Sequence, residues 1–492
     1  MVRKEWSELQ KNIFDTYENS RSNIFVKATA GGSKTTVMVE CAKRTSPMRR
    51  SIFMAFNKSI AEELKAKVPE HFETSTFHSK GFKILLKNFN FKPKISENKT
   101  FSIGIKILKI EDEIPANQRQ KYLFNLQEIW NQIRVNLFDD YESSIPMICL
   151  EKEIEFKERM IQDIIDIEKE WMKNVKKISS GGEFVLDFTD MLYLAYKLID
   201  PLNLPKYDVL FLDEGQDLNV LQREFALRLL KPRGRFMIVG DFSQAIYAFQ
   251  GASVDNFSYF QNLPNTTTLP LSVTYRCAKN IVKEAQKVFP NDIQFSPNAI
   301  DGVVREGKLL EAESGDFVLC RNNIPLVEAF LKFLEAKKKA TIKGKDLGEA
   351  LQSLLGKITN IAELDDLLDE KLKKLMEKGI TRAAAVNNPS YIALEEKCKI
   401  LHILYNRFLG SIEELKSTVN EIFVEDVKGI VLCTCHKSKG LEADRVFFLN
   451  QDLIPSEHAK TERALYAERC LRFVAITRAR KELIYCLSLI HI

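Results

Sequence analysis

Short apolar runs rich in β-branched and aromatic residues recur along the chain, and each one leads into a longer segment with helical spacing. Continuous apolar strands that alternate with helices are typical of parallel sheets covered by helices on both faces. The predicted strands fall into two groups, one before about residue 265 and one after it: 23–28, 51–55, 209–212 and 236–239, then 317–319, 429–433 and 445–449. The pattern therefore predicts an α/β protein with two parallel-sheet cores.

Two stretches rich in Lys, Ile and Glu interrupt this alternation, and both have helical spacing with few strand signals. We interpret them as helical insertions, one in each core. The predicted first domain comprises 1–85 and 180–265, with its insertion at 86–179. The predicted second domain comprises 266–345 and 426–492, with a shorter insertion at 346–425.

Composition narrows the class of protein. No apolar run of about 18 residues predicts a membrane span, and the N-terminal segment has no apolar signal region. The nine cysteines are scattered, with Cys433 and Cys435 as the closest pair, so we expect buried reduced thiols and neither a zinc nor an iron–sulfur site. A net charge of +5 allows nucleic-acid binding only through local patches. These features predict a cytoplasmic protein that does not bind membranes.

The segment VKATAGGSKTTVM, residues 26–38, has the composition of a phosphate-binding loop between a strand and a helix. In that interpretation Lys34 reaches the β- and γ-phosphates and Thr35 holds Mg²⁺. The segment departs twice from the pattern G-x-x-x-x-G-K-[ST], because Ala28 and Ser33 occupy the two glycine positions. Taken alone, it is explained equally well as an ordinary strand–helix turn.

Other segments contain acidic, glutamine and arginine side chains that could act together with such a loop. In YDVLFLDEGQD an apolar strand ends at Asp213, which suits Mg²⁺, and at Glu214, which suits orienting or deprotonating a water; a solvent-facing acidic strand end is the alternative. Gln244 follows another strand end and suits sensing a γ-phosphate. Arg276 and Arg478 suit the phosphates of a transferring group, although most arginines are solvated surface residues.

The ordered set of segments resembles the UvrD/Rep/PcrA-like branch of superfamily 1 helicases. The similarity runs the length of the two cores and leaves the two helical stretches aside. The segments that carry it are ELQ (8–10), ATAGGSKTT (28–36), MAFNKSIAEEL (54–64), TSTFHSKG (74–81), DFTDML (187–192), FLDEGQD (211–217), VGDFSQAIYAFQGA (239–252), LSVTYR (271–276), TCHKSKGLEAD (434–444) and ERCLRFVAITRAR (468–480).

The resemblance implies two RecA-like domains of the P-loop NTPase fold, each with a mainly helical insertion, with ATP between them and single-stranded DNA across them. By position in the motifs, the implied catalytic residues are Lys34, Asp213, Glu214, Gln244, Arg276 and Arg478, with Thr35 and Asp213 at Mg²⁺. The implied nucleotide-binding residues are Gln10 at the adenine edge, Tyr275 stacked on the base, Glu442 at the ribose, and Ala30, Gly31, Gly32, Ser33, Lys34, Thr35 and Thr36 at the phosphates.

The resemblance also implies a set of DNA-binding residues, whose aromatic rings and small polar groups suit single strands. They are Phe56, Asn57, Lys58, Thr76, Phe77, His78, Tyr247, Phe249 and His436. For any one of these aromatic residues, a core position is at least as good an explanation. The segment GDFSQAIYAFQGA resembles the branch that moves 3′→5′.

Ser33 is the departure with the most direct physical consequence. We expect it to tolerate its Cβ by taking a negative, helical φ in the first turn, where its hydroxyl could cap the helix. Thr36 replaces an arginine that often stacks on adenine in relatives, and Gln250 replaces an arginine near the DNA.

Three functions remain open on the sequence alone. The first is a motor that couples ATP hydrolysis to 3′→5′ movement on single-stranded or tailed duplex DNA and to strand separation. The second is a translocase subunit that serves protein partners in a repair, recombination or defence complex. The third is a DNA-binding protein whose altered loop has lost ATP hydrolysis, against which the retained Lys34, Asp213, Glu214 and arginines argue.

Overall fold

The computed structural model describes residues 6–55, 58–110, 114–152, 154–175, 181–246, 254–377, 381–386, 388–408, 411–424 and 429–486. The chain divides into two compact units. The first comprises Met1–Ala28 and Ser33–Leu271, and the second comprises Thr29–Gly32 and Ser272–Ile492. Each unit is built on its own sheet, and every strand pairing in both sheets is parallel, which confirms the predicted α/β class.

The first unit contains eight strands and eleven helices among its described residues. Its strands are β1 (Asn23–Ala28), β2 (Ser51–Ala55), β3 (Phe72–Thr76), β4 (Lys92–Ile95), β5 (Glu183–Leu186), β6 (Tyr207–Leu212), β7 (Leu230–Gly240) and β8 (Thr266–Leu271). Its helices are α1 (Glu8–Asn19), α2 (Lys34–Lys43), α3 (Lys58–Lys65), α4 (Phe77–Asn88), α5 (Lys99–Ile107), α6 (Ala116–Asn136), α7 (Tyr141–Glu151), α8 (Arg159–Val175), α9 (Phe188–Leu198), α10 (Val220–Arg228) and α11 (Val254–Gln261).

The main sheet of this unit has the strand order β3-β2-β6-β7-β1-β8. All residues of β2 are buried, and so is nearly all of β6, because helices cover both faces of a parallel sheet. β7 pairs with β6 on one side and with β1 on the other. The carboxyl ends of these three strands therefore lie side by side, at the edge of the sheet where ligands of open α/β folds bind.

The helices α5 to α8 lie in the chain between β4 and β5, which pair in parallel. A buried cluster of charges joins this helical segment to the start of α9. Lys99 of α5 contacts Asp187 and Asp190, and the Arg134 guanidinium of α6 lies 2.8 Å from Asp187 and 2.5 Å from Asp190. All four side chains are almost inaccessible to solvent, so each charge depends on its partners.

The second unit has a seven-stranded sheet with the order β11-β17-β16-β12-β15-β13-β14, beside a small pair of β9 and β10. The strands are β9 (Val273–Thr274), β10 (Gln294–Phe295), β11 (Val303–Glu306), β12 (Phe317–Cys320), β13 (Ala340–Lys343), β14 (Phe423–Val424), β15 (Ile430–Thr434), β16 (Ala443–Leu449) and β17 (Ala479–Cys486). The helices are α12 (Lys279–Gln286), α13 (Asn323–Glu335), α14 (Lys345–Leu355), α15 (Glu363–Met376), α16 (Arg382–Val386), α17 (Pro389–Phe408), α18 (Ile412–Ile422) and α19 (Glu462–Ile476).

All seven predicted strands occur, and those at 23–28 and 51–55 have the predicted bounds. The helices α14 to α18 follow β13 in the chain and precede β14, its neighbour in the sheet. The nine cysteines are all buried, as expected for thiols without a ligand role. In the part of the chain that the structure describes, none of the helices has the length and apolar character needed to cross a bilayer.

Candidate functional site

The loop after β1 leads directly into α2, which begins at Lys34. Gly31 has φ +68° and Ser33 has φ 64°, so two alternate positions adopt the left-handed conformation. Left-handed residues in such a turn direct successive backbone N–H groups to one side, where they form an anion-binding nest at the start of a helix. The loop therefore has the backbone conformation of a phosphate site.

The expectation for Ser33 was wrong. Ser33 is the N-cap residue of α2 and not a residue of its first turn, its φ is positive, and its side chain makes no capping hydrogen bond. The physical reason is that the chain must reverse between β1 and α2, and a left-handed residue at this position makes the reversal. A serine there carries a Cβ that glycine, the residue usual at this position, lacks.

We expect Ser33→Gly to relieve this strain. The left-handed conformation costs a non-glycine residue roughly 1 kcal/mol, so the variant should unfold at a higher denaturant concentration and turn ATP over faster by less than about tenfold. Ser33→Ala, which keeps the Cβ and removes only the hydroxyl, is the matched control and should show neither gain. Denaturation curves and steady-state phosphate release measure both effects; a lower midpoint for the glycine variant would contradict the strain argument.

The first residues of α2 contact the acidic end of β6. The Lys34 ammonium donates to a Glu214 carboxylate oxygen at 2.8 Å, and the Thr35 hydroxyl donates to Asp213 at 3.3 Å. Glu214 itself has φ 50°, a strained conformation that directs its side chain from the strand end toward α2. Residues 180 positions apart in sequence therefore form one site at the carboxyl edge of the sheet.

A short chain of hydrogen bonds extends this site to β7. The Gln216 amide donates to Glu214 at 2.6 Å, and its carbonyl oxygen accepts from the Asp241 backbone at 2.8 Å. Gln244 donates its side-chain amide to Asp241 at 2.5 Å. Gln216 and Asp241 were not predicted as site residues, although both stand in the segments FLDEGQD and VGDFSQ that predicted the site.

At the site formed by α2 and the ends of β6 and β7, carboxylates outnumber cations. Burial, together with the adjacent Glu214 carboxylate, raises the pKa of Asp213 to about 6. Burial likewise raises the pKa of Asp241 to about 6. Burial opposes the charged form of Lys34, but the nearby Glu214, Asp241 and Asp213 outweigh burial and raise the pKa of the ammonium. The cluster thus has a deficit of positive charge that an additional cation would fill.

The donor set suits Mg²⁺. A hydroxyl and a carboxylate oxygen, from Thr35 and Asp213, are hard ligands that lie beside each other. Among the described residues no group of three or more acidic, histidine or cysteine side chains could hold a metal by itself. This is the usual situation for Mg²⁺, which takes one or two protein ligands and completes its shell with phosphates and water.

In the second unit the structure brings Arg276 and Glu442 together. The Arg276 guanidinium contacts the Glu442 carboxylate through Nε, and it also donates to the Thr477 carbonyl at 3.4 Å. Arg480 lies 3.6 Å from the same carboxylate. Glu442, the predicted ribose ligand, therefore has two guanidinium neighbours in this structure.

Arg478 is buried, with 1 % of its surface exposed. Its guanidinium donates to the carbonyl oxygens of Val474 and Leu441, each at 3.0 Å, and to the Thr477 hydroxyl at 3.3 Å. To bind a phosphate, the Arg478 guanidinium would have to give up some of these hydrogen bonds. In contrast Tyr275 is 45 % exposed, so its ring is accessible for stacking.

Gln10, the predicted adenine ligand, is buried in the first turns of α1. Its side-chain oxygen accepts from the Ser7 backbone at 3.0 Å, and the Ser7 hydroxyl accepts from the Gln10 backbone at 3.3 Å. This capping box holds the side chain in place at the start of the helix. The glutamine therefore has a structural role here besides any role in binding a base.

The predicted DNA-binding residues divide into three groups. Phe56, Asn57, Tyr247 and Phe249 lie outside the described residues, and so does Gln250. Lys58 and His78 lie on the surface or partly buried at the starts of α3 and α4. Phe77 is 2 % exposed and packs in the main core, so its ring is not presented to a strand, and Thr76 accepts from the Ser79 backbone as the N-cap of α4.

The burial of Phe77 is a correction to the expectation that it contacts DNA. As the first residue of α4, it is buried because the helix packs against α9 and β3, and its ring belongs to the main core of the unit. A different aromatic residue, Phe188, is 55 % exposed at the start of α9. Phe188 was not predicted as a DNA-binding residue; the signal in the sequence was an aromatic residue between the two acids of DFTD.

The environment of His436, another predicted DNA-binding residue, lowers the pKa of its imidazole. Burial, together with the nearby Arg321 guanidinium, lowers the pKa of its imidazole to about 4. The imidazole is therefore neutral at pH 7, and a contact with DNA would use a neutral N–H. Because the unfolded chain binds this proton near pH 6.5, the histidine lowers the stability of the fold as pH falls from about 6.5 toward 4.

This assignment predicts an NMR result. The His436 ring signals should stay constant from pH 8 down to about 5.5 and shift only at lower pH. Comparison with the His436→Gln variant identifies the signals that belong to this residue. A titration midpoint above pH 6 would contradict the buried neutral imidazole.

Comparison with known proteins gives the family. The model of the UvrD/REP helicase N-terminal domain matches residues 7–265, and that of the UvrD-like helicase C-terminal domain matches residues 308–489. The F-box DNA helicase 1 of Gallus gallus is 23% identical over 99% of this chain and 50% of its own length. The F-box DNA helicase protein 1 of Schizosaccharomyces pombe (strain 972 / ATCC 24843) is 23% identical over 96% of this chain and 56% of its own length.

Two bacterial proteins are also similar. The ATP-dependent DNA helicase Rep of Buchnera aphidicola subsp. Schizaphis graminum is 21% identical over 94% of this chain and 90% of its own length. DNA helicase II of Escherichia coli (strain K12) is 27% identical over 55% of this chain and 39% of its own length. The chain thus spans about half the length of the two F-box relatives. Since the N-terminal family model alone covers more than half of its residues, the chain belongs to the UvrD/REP helicase family.

Proposed function

We propose that this protein is an ATP-dependent DNA helicase that moves 3′→5′ on single-stranded DNA and uses ATP hydrolysis to separate strands. The observation that carries the proposal is the pairing of Lys34 with Glu214 and of Thr35 with Asp213 at the carboxyl edge of the first sheet. A lysine, a hydroxyl and two acids are the groups that phosphoryl transfer needs to bind phosphates, hold a metal and activate water.

The roles follow from these contacts. Lys34 binds the β- and γ-phosphates, and Glu214 orients the attacking water and accepts its proton. In the structure the two side chains bind each other at 2.8 Å. Phosphate oxygens that bind Lys34 would release Glu214, so the carboxylate becomes available to water only when nucleotide is present. Thr35 and Asp213 would hold Mg²⁺, which would supply positive charge for the phosphate oxygens.

Asp241 connects the acids of β6 to the sensor at the end of β7. Gln244 is held by Asp241, and Asp241 is held by Gln216, which also binds Glu214. A change at Glu214 when nucleotide binds is therefore transmitted to Gln244 through hydrogen bonds and not through a long-range effect. We propose that this chain lets Gln244 respond to the γ-phosphate.

The remaining nucleotide contacts rest on the family resemblance. We assign Gln10 to the adenine edge, Tyr275 to stacking on the base and Glu442 to the ribose. Arg276 and Arg478 act on the γ-phosphate. The exposed ring of Tyr275 supports the stacking role, and the carbonyl contacts of Arg478 imply that it rearranges when it acts.

We also propose the domain division expected from the sequence. The first domain comprises 1–85 and 180–265 with a helical insertion at 86–179, and the second comprises 266–345 and 426–492 with an insertion at 346–425. The parallel pairing of β4 with β5 on either side of α5 to α8 supports the first insertion. The position of α14 to α18 between β13 and β14 supports the second.

For DNA, we propose contacts by Lys58, His78 and His436, to which the exposed ring of Phe188 is added. His78 and Phe188 stand near the starts of α4 and α9, two helices that pack against each other. Burial lowers the pKa of the His78 imidazole. An exposed aromatic ring and a polar group on two packed helices suit a base and its adjoining phosphate. The DNA contacts of Phe56, Asn57, Thr76, Tyr247 and Phe249 stay predictions.

Two measurements test the function. ATP hydrolysis should rise strongly when single-stranded DNA is added, and hydrolysis that is absent or independent of DNA would refute the motor. A duplex with a 3′ single-stranded tail should be unwound, while a duplex with a 5′ tail and a blunt duplex should not. Unwinding of the 5′-tailed duplex alone would reverse the direction. Hydrolysis stimulated by DNA without unwinding of any substrate would favour the translocase subunit of a larger complex.

A further inference from the structure

A basic pocket of about 340 Å³ lies on the first unit, at the edge of the main sheet opposite to the nucleotide residues. Arg50 immediately precedes β2 and Lys206 immediately precedes β6, so both stand at the amino ends of neighbouring strands. Lys80, Lys83 and Lys87 of α4 form the facing wall. Five cations line this pocket, and no acidic residue does.

Most of this charge has no carboxylate partner. Lys80 is buried and pairs with Glu73 at 2.6 Å, besides contacting the Tyr207 hydroxyl. Within the described ranges of the chain, Arg50, Lys83, Lys87 and Lys206 form no ion pair. Asp208, the acid that follows the start of β6, binds the Arg50 backbone and Lys231 instead.

Several of the cations are held in place. The Arg50 guanidinium lies 4.9 Å from the centre of the Tyr207 ring, and Lys206 donates to the Arg228 carbonyl at 2.6 Å. Lys83 and Lys87 stand one helical turn apart on α4 and face the same side. The Arg50 and Lys206 side chains, which these contacts hold, therefore lose little conformational freedom when they bind an anion.

The unpaired charges repel one another, and an anion would remove that cost. Burial lowers the pKa of Lys80, and Arg50 and Lys83 lower it further, which shows that the positive charges act on each other. A phosphate group suits the pocket better than a carboxylate, because it carries several acceptor oxygens that can meet converging donors from different sides.

The position of α4 indicates where such a phosphate comes from. The helix begins at Phe77, beside His78 of the proposed DNA contacts, and its 12 residues span about 18 Å. This length equals the axial rise of about five nucleotides in one strand of a duplex. Nucleic acid bound at the start of α4 therefore extends far enough to place a backbone phosphate in the pocket.

We propose that the pocket formed by Arg50, Lys80, Lys83, Lys87 and Lys206 is a second phosphate-binding site, separate from the Lys34 site, and that it takes a phosphate of the nucleic-acid backbone or of a free polyphosphate. The site would bind DNA outside the residues that the motifs assign to it. Only the DNA source rests on the proposed function, since phosphate binding here requires no ATP hydrolysis.

The test uses the full chain with Lys83→Gln and Lys87→Gln combined. Both residues are exposed on a helix in which glutamine is well tolerated, so the fold is preserved. The matched control combines Lys283→Gln and Lys287→Gln, an exposed pair with the same spacing at α12. Binding of labelled single-stranded and duplex DNA is measured without nucleotide at several salt concentrations. Binding of inorganic tripolyphosphate is measured in a Lys34→Ala background, in which the other phosphate site is disabled.

We expect the pocket variant to bind DNA about tenfold more weakly at low salt, and to lower the slope of log affinity against log salt by about 1.4 for single strands, whereas the control changes neither. Loss of tripolyphosphate binding with unchanged DNA binding would assign the site to a free polyphosphate.

A pocket variant that equals the control in the binding of both DNA and tripolyphosphate would overturn the proposal. Binding of polyglutamate is measured as a third arm. A pocket variant that loses only this binding would also overturn the proposal, because the pocket would then take an acidic peptide. Because no arm needs ATP turnover, an inactive ATPase leaves the result interpretable.

Discussion

Glu214→Gln is expected to lower DNA-stimulated ATP turnover by about 10³-fold while ATP binding is retained. A glutamine keeps the size of the side chain but cannot accept a proton from water, and removal of a positioned base costs 10²- to 10⁴-fold in rate. The variant also removes the charge that binds Lys34 at 2.8 Å in this structure. Lys34 is then free for phosphate, so the affinity for ATP should stay the same or rise.

Steady-state phosphate release and the binding of a fluorescent ATP analogue separate the two effects. Glu224→Gln provides the control, because it makes the same substitution on α10 of the same unit, away from the site. Turnover by Glu214→Gln within about threefold of the unmodified protein would show that another group activates the water. A parallel loss of binding would instead show that Glu214 maintains the shape of the site.

Arg134→Met is expected to lower the free energy of unfolding of the first unit by about 3–5 kcal/mol. The guanidinium is fully buried and binds both Asp187 and Asp190, so its loss leaves two carboxylates facing Lys99 alone. Methionine fills much of the volume but supplies no charge. The loss therefore reflects carboxylates left in a protein interior without enough partners.

Tryptophan fluorescence reports this change directly. Two of the three tryptophans, Trp130 and Trp171, are buried at the cluster, where the Arg134 guanidinium lies 5.5 Å from the Trp130 ring and the Lys99 ammonium lies 4.5 Å from the Trp171 ring. Lys173→Met, which removes an exposed ion pair of α8, is the control and should cost under about 0.5 kcal/mol. A loss of similar size in both variants would show that the buried cluster contributes little.

The sequence predicted the parts of the site that depend on residue type and chain order. Lys34, Asp213 and Glu214 each follow or precede a recognisable apolar strand, and parallel strands bring their carboxyl ends to one edge. Their contacts could be anticipated because this topology leaves few arrangements. In contrast the conformation of Ser33 depends on how a five-residue loop reverses direction, which no local preference for serine indicates.

The residues whose environment could not be predicted are those whose burial or partners depend on tertiary packing. Phe77 and Phe188 both stand at the start of a helix within a family segment, yet one is buried and the other exposed. The difference arises from which side of the helix meets the core, and a single turn of sequence does not reveal it. Likewise Lys99, Arg134, Asp187 and Asp190 come from three helices and their flanking turns, so only the fold shows that they neutralise one another.

The parallel pairing of β4 with β5 has a consequence for how this protein can change. Lys92 lies opposite Glu183, so the segment made of β4 and α5 to α8 begins and ends at positions only about 5 Å apart, the spacing of neighbouring strands. The segment can therefore vary in length and internal structure without moving the strands that carry the proposed nucleotide-binding residues. Any replacement segment must supply two buried cations for Asp187 and Asp190, or those aspartates must change with it. That requirement is a compatibility rule for exchanging this segment between relatives.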